Sequence, residues 1–373
     1  MTVKAIKQNN DDAVALHTYL APIMKLLNED GVTELCINRP HEVWTEGNSG
    51  WVKHDMPEVD YNYCYQISML VANYNDQAVN RTAPMLSAVL PDNLRIQILI
   101  PPAVENGTVG ITIRRPSPST RTLEQYVDDG AFRKFLWGRP ASLDSNLDAL
   151  DPIDKKLVEH LSDSNLLEFL IGAIRAKKNI AVVGDTGSGK TTLMKAMCNV
   201  IPANERLITI EDVRELFLPQ DNRVHLLYSG TGQSVAKISP ADLIRSCMRL
   251  KPDRVLLAEL RGSEAFDFLN LLTTGHSGSI TSFHAESCAL AVERYAFMCK
   301  AHPDALTYDD KDIKHLVNLT IDVILHMTAQ NQYDDDGNFI GKDRFVTQVH
   351  FDPLAKIAAQ LGSDRTVFRA KED

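Results

Sequence analysis

The chain has 373 residues, of which 44% are hydrophobic and 24% charged, a length and balance typical of a globular protein with two or three domains. Its net charge of −10 argues against a protein that binds nucleic acid over a broad basic surface. No apolar stretch approaches the roughly 20 residues needed to cross a bilayer and residues 1–7 lack the apolar core of a signal peptide, so we expect any membrane association to be peripheral.

The first part of the chain predicts a small α+β domain. Two helices are indicated by apolar residues at helical spacing, at 13–27 and 61–75. The candidate strands are short apolar runs, at 34–38, 43–44, 86–90, 95–100 and 110–114. Because this pattern stops near Pro116, we predict an N-terminal α+β domain over residues 1–116.

Two arginines, Arg114 and Arg115, stand at the end of the last of these strands. They are either a solvated strand end, or one of them reaches a nucleotide bound at the junction with the next domain. Residues 117–162 then change in composition, with prolines, glycines and a polar run at 144–151. We interpret them as an interdomain linker, long enough for the first domain to pack on its own second domain or on that of a neighbour.

A phosphate loop occupies residues 184–192. The sequence there, Gly-Asp-Thr-Gly-Ser-Gly-Lys-Thr-Thr, follows an apolar run at 179–183 and precedes a good helix former at 193–198. The glycines let backbone N–H groups surround phosphate oxygens, and the helix N-terminus adds partial positive charge. We therefore predict that Lys190 binds the β- and γ-phosphates of ATP and that the Thr191 hydroxyl binds Mg²⁺. The predicted nucleotide-binding residues are Gly184, Asp185, Thr186, Gly187, Ser188, Gly189, Lys190, Thr191 and Thr192.

Ionisable residues follow three further predicted strands, at 206–210, 254–258 and 279–283. Glu211 and Asp212 follow the first strand, Glu259 the second and His284 the third. In open α/β sheets, ligands bind beyond the carboxyl ends of the strands. We therefore expect these four side chains to lie at the edge of the sheet that carries the phosphate loop.

The chemistry of phosphoryl transfer suggests a role for each of these residues. Mg²⁺ prefers one or two carboxylates and keeps several waters, and the attacking water must be oriented. Glu259 takes the Walker B place and is predicted as a Mg²⁺ ligand, while Glu211 is predicted to orient the water, with Asp212 supporting it or assisting Mg²⁺. The roles of Glu211 and Glu259 are exchangeable at this point. His284 is predicted to sense the γ-phosphate or to transmit its loss to a neighbouring subunit.

Four segments in this order resemble the motifs of one known family. The phosphate loop resembles a Walker A motif, and the other three resemble the Asp box, the Walker B motif and the His box of the type II/type IV secretion ATPases, at residues 209–216, 252–262 and 274–285. Residues 90–98 and 111–116 are similar to the type IV branch, and the four-cysteine zinc module of type II relatives is absent from the sequence. The chain therefore resembles the VirB-class traffic ATPases of type IV secretion over nearly its whole length.

The resemblance implies an α/β protein with a C-terminal RecA-like P-loop NTPase domain, which we place at residues 163–373, and a smaller N-terminal α+β domain. It implies an ATP hydrolase that forms a homohexameric ring and uses Mg-ATP hydrolysis, coupled to domain motion, for pilus biogenesis, conjugation and substrate export. Nucleotide would lie between the two domains, which places Arg114 or Arg115 near the γ-phosphate.

The implied location is the cytoplasmic face of the bacterial inner membrane, in contact with other secretion components. The six cysteines form no Cys-x-x-Cys pair, which agrees with a reducing cytoplasm. No sequence-specific binding of nucleic acid is expected. Two other interpretations stay open: a pilus-retraction or type II secretion motor, and a docking switch that binds nucleotide but turns over slowly.

Overall fold

Two β-sheets organise the chain in a computed structural model. The first is built from the first third of the sequence and the second from the remainder. The described residues are 3–47, 50–91, 94–115, 121–141, 143–228, 238–337 and 339–361.

The first sheet has six antiparallel strands. They are β1 (Glu34–Arg39), β2 (Glu42–Gly47), β3 (Gly50–Asp55), β4 (Met85–Val89), β5 (Arg95–Leu99) and β6 (Gly110–Arg114), in the order β3-β2-β1-β6-β5-β4. Helices α1 (Val3–Leu27) and α2 (Tyr61–Tyr74) accompany them. Alternate positions such as Ile96 and Ile98 are buried, which is the period-2 pattern that made the strands predictable.

Two arginines face each other at one end of this sheet. In the antiparallel pair β5–β6, Arg95 lies directly opposite Arg114. On its other side, Arg114 lies opposite Glu34 of β1. The sheet therefore carries two neighbouring arginines, one at the start of β5 and one at the end of β6.

The segment predicted as a linker contains regular structure and packs on the second sheet. Its elements are α3 (Leu123–Asp128), β7 (Leu136–Trp137), α4 (Leu143–Asn146), a 3₁₀ turn (Leu147–Ala149) and α5 (Pro152–Ser162). Leu123, Tyr126 and Leu157 share a buried cluster with Val182 of the strand that leads into the phosphate loop. Positions 117–120 and 142 of this segment lie outside the described residues.

The second sheet has eight strands in the order β10-β9-β11-β12-β8-β13-β14-β7. The remaining strands are β8 (Ile180–Gly184), β9 (Leu207–Glu211), β10 (Arg223–Leu227), β11 (Arg254–Leu257), β12 (Ile280–Phe283), β13 (Val323–Tyr333) and β14 (Phe339–Phe351). Pairing is parallel from β10 to β13 and antiparallel between β13 and β14. Every residue of β8, β9, β11 and β12 is buried, as expected for parallel strands covered on both faces.

Helices connect and cover these strands. They are α6 (Leu166–Arg175), α7 (Lys190–Cys198), α8 (Pro240–Leu250), α9 (Glu264–Thr273), α10 (Cys288–Cys299), α11 (Asp310–Thr320) and α12 (Pro353–Leu361), with a 3₁₀ turn at Pro303–Thr307. Ser239 caps α8 by accepting from the backbone N–H of Asp242, with Pro240 in the first turn. This local chemistry sets the start of α8.

The long hairpin β13–β14 links the second sheet to the first. Toward the turn of the hairpin, Lys342 of β14 forms an ion pair with Glu46 of β2, and Lys342 Nζ lies 3.1 Å from Glu46 Oε1. Two residues further along β14, Arg344 lies beside the phosphate loop. Among the described residues, no helix is both long and apolar enough to cross a membrane.

Candidate active site

The phosphate loop joins β8 to α7 as predicted. Gly184 ends the strand with φ +147, and a Cβ added there would lie 2.0 Å from the backbone oxygen of Met327, so a larger residue does not fit. Gly189, with φ +94, forms the N-cap of α7, which begins at Lys190. The loop can therefore curve closely around a ligand at the start of a helix, the geometry that suits an anion.

Lys190 is buried inside this loop. Its Nζ donates to the backbone oxygens of Gly184 and Asp185, both at 2.8 Å, and the residue is 8% exposed. Burial lowers the pKa of Lys190, while the carboxylates of Glu259 and Asp185 act to raise it. A phosphate beside this ammonium would offset the cost of burying its charge, so these residues fit a phosphorylated ligand.

Glu259 and His284 lie next to Lys190, although they come from different strand ends. His284 Nδ1 is 3.5 Å from Lys190 Nζ, and His284 Nε2 is 3.0 Å from Glu259 Oε1. Arg261 donates through Nε and Nη2 to Glu259 Oε2, at 2.8 and 2.6 Å. The structure thus brings together the lysine, one acidic residue and the histidine that the sequence placed at this edge.

Glu211 is engaged elsewhere. Its side chain is fully buried, and Oε1 accepts from the backbone N–H groups of Glu215 and Leu216 at 3.0 and 2.8 Å. Its Oε2 accepts from the Thr209 hydroxyl at 3.1 Å. The carboxylate therefore holds the loop that follows β9, and its described hydrogen bonds do not reach the phosphate loop.

Asp212 connects the two halves of the molecule. It accepts from Arg95 Nη2 of the first sheet and from Arg261 Nη1, the latter at 3.0 Å. Arg95 also forms an ion pair with Glu215, with its Nη1 3.2 Å from Oε1. Arg261 also binds Glu259. Ion pairs therefore connect Arg95 of the first sheet, through Asp212 and Arg261, to Glu259 near the phosphate loop.

The structure distinguishes the two arginines that end β6. Arg114 is exposed and lies close enough to Lys190 to add to the lowering of its pKa, after the larger effect of burial. Arg115 instead donates to the Asn28 side chain, and its backbone N–H donates to the Thr33 oxygen at 2.9 Å. Arg114 therefore faces the second domain, while Arg115 is held within the first.

A cleft of about 570 Å³ separates the two sheets beside these charges. This volume lies in the range of small-molecule sites, roughly 300–1,000 Å³. Residues of both sheets line the cleft, including Ser87, Gln97, Arg114, Asp212, Tyr228 and Arg261. An occupant of this cleft would touch both domains.

Sequence reasoning missed three arginines at this site, namely Arg95, Arg261 and Arg344. A signal existed for Arg261, because it follows Glu259 by two residues and side chains at that spacing lie on the same side of an extended backbone. No local signal marks Arg95 or Arg344, because their contacts at the site, with Asp212 and with Gly187, join residues 117 and 157 positions apart in sequence.

Donors suited to Mg²⁺ are present near the loop. The hydroxyl of Thr191 and the carboxylate of Glu259 are hard oxygen donors, and Mg²⁺ bound to phosphates needs only one or two such protein ligands. Asp212, the third predicted ligand, is already bound by two arginines. Within the described part of the chain, no group of three or more His, Cys, Asp and Glu side chains is gathered as a metal site.

Known proteins are similar to this chain. Residues 155–344 match the family model described as type II/IV secretion system protein. The type IV secretion system protein VirB11 of Brucella suis is 41% identical over 94% of this chain and 93% of its own length. The chain belongs to the type II/IV secretion ATPase family.

Solved structures agree with this assignment. The crystal structure of the VirB11 ATPase from the Brucella suis type IV secretion system in complex with sulphate has a TM-score of 0.51, at 41% identity, over 95% of this chain and 100% of that one. The pilus retraction motor PilT with bound ADP has a TM-score of 0.54 over 91% of this chain and 84% of that one, and at 15% identity it shows the fold alone. Family membership confirms the predicted secretion ATPase, its α/β fold class and the RecA-like C-terminal domain.

Proposed function

We propose that the chain is the ATPase of a type IV secretion system and couples Mg-ATP hydrolysis to movement between its two domains. The observation that carries this proposal is the series of contacts from Lys190 of the phosphate loop to His284 and from His284 to Glu259, with Arg114 of the other domain close by. This arrangement supplies a phosphate-binding cation, an acidic residue and an arginine across a cleft, which are the groups that phosphoryl transfer uses.

Each residue has a proposed part in the reaction. Lys190 holds the β- and γ-phosphates, and Thr191 with Glu259 would hold Mg²⁺, which neutralises developing phosphate charge. The placement of Glu259 favours it over Glu211 as the residue that orients the attacking water. Arg114 stabilises charge at the γ-phosphate, and His284 connects that phosphate to Glu259.

Glu211, Asp212 and Arg115 have supporting parts in this proposal. Glu211 anchors the loop after β9, so Asp212 stays in place to bind Arg95 of the first sheet. Arg115 holds the end of β6 against the first domain, so that the adjacent Arg114 is directed toward the cleft. Loss of the γ-phosphate then weakens the hold of the second domain on the first.

The proposed assembly is a homohexamer on the cytoplasmic face of the bacterial inner membrane, with other secretion components as partners. Its support is the membership of the family and the names of the relatives. Division of the chain into residues 1–116, 117–162 and 163–373 also remains a prediction. Limited proteolysis that cuts first near 116–120 and releases two stable fragments would support the first boundary.

The test is steady-state ATP hydrolysis measured beside mass in solution. Wild type is compared with Lys190→Ala and Glu259→Gln, and Lys155→Ala serves as a control because it removes an exposed lysine far from the loop in sequence. A hexamer that hydrolyses ATP, with hydrolysis abolished by Lys190→Ala but not by Lys155→Ala, supports the proposal. A monomer that binds nucleotide tightly without turnover contradicts it and leaves the docking switch.

A further inference from the structure

Strand β14 places Arg344 against the outside of the phosphate loop. Its Nε donates to the backbone oxygen of Gly187 at 2.9 Å. Its aliphatic stem lies beside Gly189, where an added Cβ would come within 3.2 Å of Arg344 Cδ. This is the only hydrogen bond of the side chain among the described residues, so the two terminal amino groups keep their donors available.

The order of the strands gives the phosphate loop a direction. Glu259 and His284 follow β11 and β12, which lie on one side of β8, and they mark the γ-phosphate end together with Lys190. Arg344 lies on β14, on the opposite side of β8. A triphosphate whose terminal phosphate lies beside His284 and whose middle phosphate lies in the loop carries its α-phosphate toward β13 and β14.

We propose that Arg344 is a nucleotide-binding residue whose terminal amino groups contact the α-phosphate. The inference rests on the proposed ATPase function and adds a binding position to it. A guanidinium forms strong, directional hydrogen bonds with phosphate oxygens, and the bond from Nε to Gly187 fixes the orientation of the group. Arg344 is exposed, so this contact requires no further burial of the protein.

The test uses ADP and its two α-thio diastereomers, titrated calorimetrically without divalent cations. The wild type should bind one diastereomer more weakly than the other, because only one non-bridging oxygen of the α-phosphate faces Arg344. The variant Arg344→Gln should weaken ADP binding on the order of tenfold or more and should lose the preference between diastereomers. The variant Arg344→Lys should show an intermediate loss, since it keeps the charge but not the fork of donors.

Lys342→Gln is the matched control, because it removes a positive charge from the same strand two residues away. It should bind ADP like the wild type, and the melting temperature of each variant confirms folding. If Arg344→Gln weakens the binding of all three ligands equally and keeps the preference between the diastereomers, Arg344 only supports the loop, and the inference is overturned. Unchanged affinity in Arg344→Gln would also overturn it. A wild type that binds no nucleotide would instead contradict the proposed function.

Discussion

Replacing Glu211 and Glu259 separately by glutamine tests the division of labour between the two acidic residues. The structure predicts that Glu211→Gln lowers stability and that Glu259→Gln lowers turnover. The reason is their surroundings, since Glu211 is fully buried among backbone N–H donors and Glu259 faces His284 with a partly exposed side chain.

The size of each effect follows from these contacts. Glu211 accepts three hydrogen bonds. A glutamine can keep the oxygen that accepts from the two backbone N–H groups, but it places an amide NH₂ group against the Thr209 hydroxyl and loses the charge, which should cost about 1–3 kcal/mol of folding free energy. A loss of that size lowers the melting temperature by roughly 2–12 °C in a domain of about 200 residues. Glu259→Gln should cost under about 1 kcal/mol, because its ion pairs are solvent-accessible, but should reduce kcat about 10²–10⁴-fold.

The two effects are measured by thermal unfolding and by steady-state hydrolysis on the same preparations. Hydrolysis by Glu211→Gln should be assayed well below its melting temperature, where the folded fraction equals that of the wild type. The reasoning is refuted if Glu211→Gln melts like the wild type yet loses hydrolysis as fully as Glu259→Gln does. That result would return the water-orienting role to Glu211.

Three further substitutions probe other parts of the molecule. Arg95→Gln removes the ion pairs to Asp212 and Glu215, whose side chains are mostly buried, and should lower turnover several-fold with about 1–3 kcal/mol lost in stability. An unchanged kcat in steady-state assays would contradict a role for this link. Arg254→Met leaves the buried carboxylate of Glu205 without its two bonds of 2.6 and 3.0 Å and should cost about 3–5 kcal/mol, measured by urea unfolding. Burial lowers the pKa of His326, so its contribution to stability is present above the unfolded pKa of about 6.5 and is lost as the pH falls below it. Melting curves of the wild type between pH 8 and 5 should show this loss, and His326→Gln should reduce it, leaving the part that comes from His350, whose pKa is also lowered by burial.

Strand ends explain why the sequence pattern indicates the location of some candidate site residues better than that of others. The positions of Lys190, Glu259 and His284 follow from local pattern, because His284 and Glu259 come one and two residues after buried parallel strands and Lys190 ends the phosphate loop that follows a third. Glu211 stands at an equivalent place, yet the fold of its own loop turns the carboxylate toward the N–H groups of Glu215 and Leu216. The direction in which this carboxylate points depends on the conformation of the loop, which the local sequence pattern does not indicate.

The fold was predictable in kind for a similar reason. Alternating and continuous apolar runs indicate the antiparallel first sheet and the parallel second sheet. Long-range pairing was not predictable, because β14 and β7 are far apart in sequence yet adjacent in the sheet. The segment at 117–162 has the composition of a linker, yet Leu123 and Tyr126 are buried against the second sheet. These contacts join residues far apart in sequence, so the local composition does not indicate them.

The direct opposition of Arg95 and Arg114 on β5 and β6 has a mechanical consequence. Backbone hydrogen bonds fix the spacing of these two side chains, so a rocking movement of the first sheet displaces both as one rigid unit. Withdrawal of Arg114 from the cleft must therefore pull on Asp212 through Arg95. If Arg114 binds the nucleotide as we propose, its release also strains the ion pair of Arg95 with Asp212 between the domains, and each turnover should be observed as a single, concerted step rather than as two independent ones.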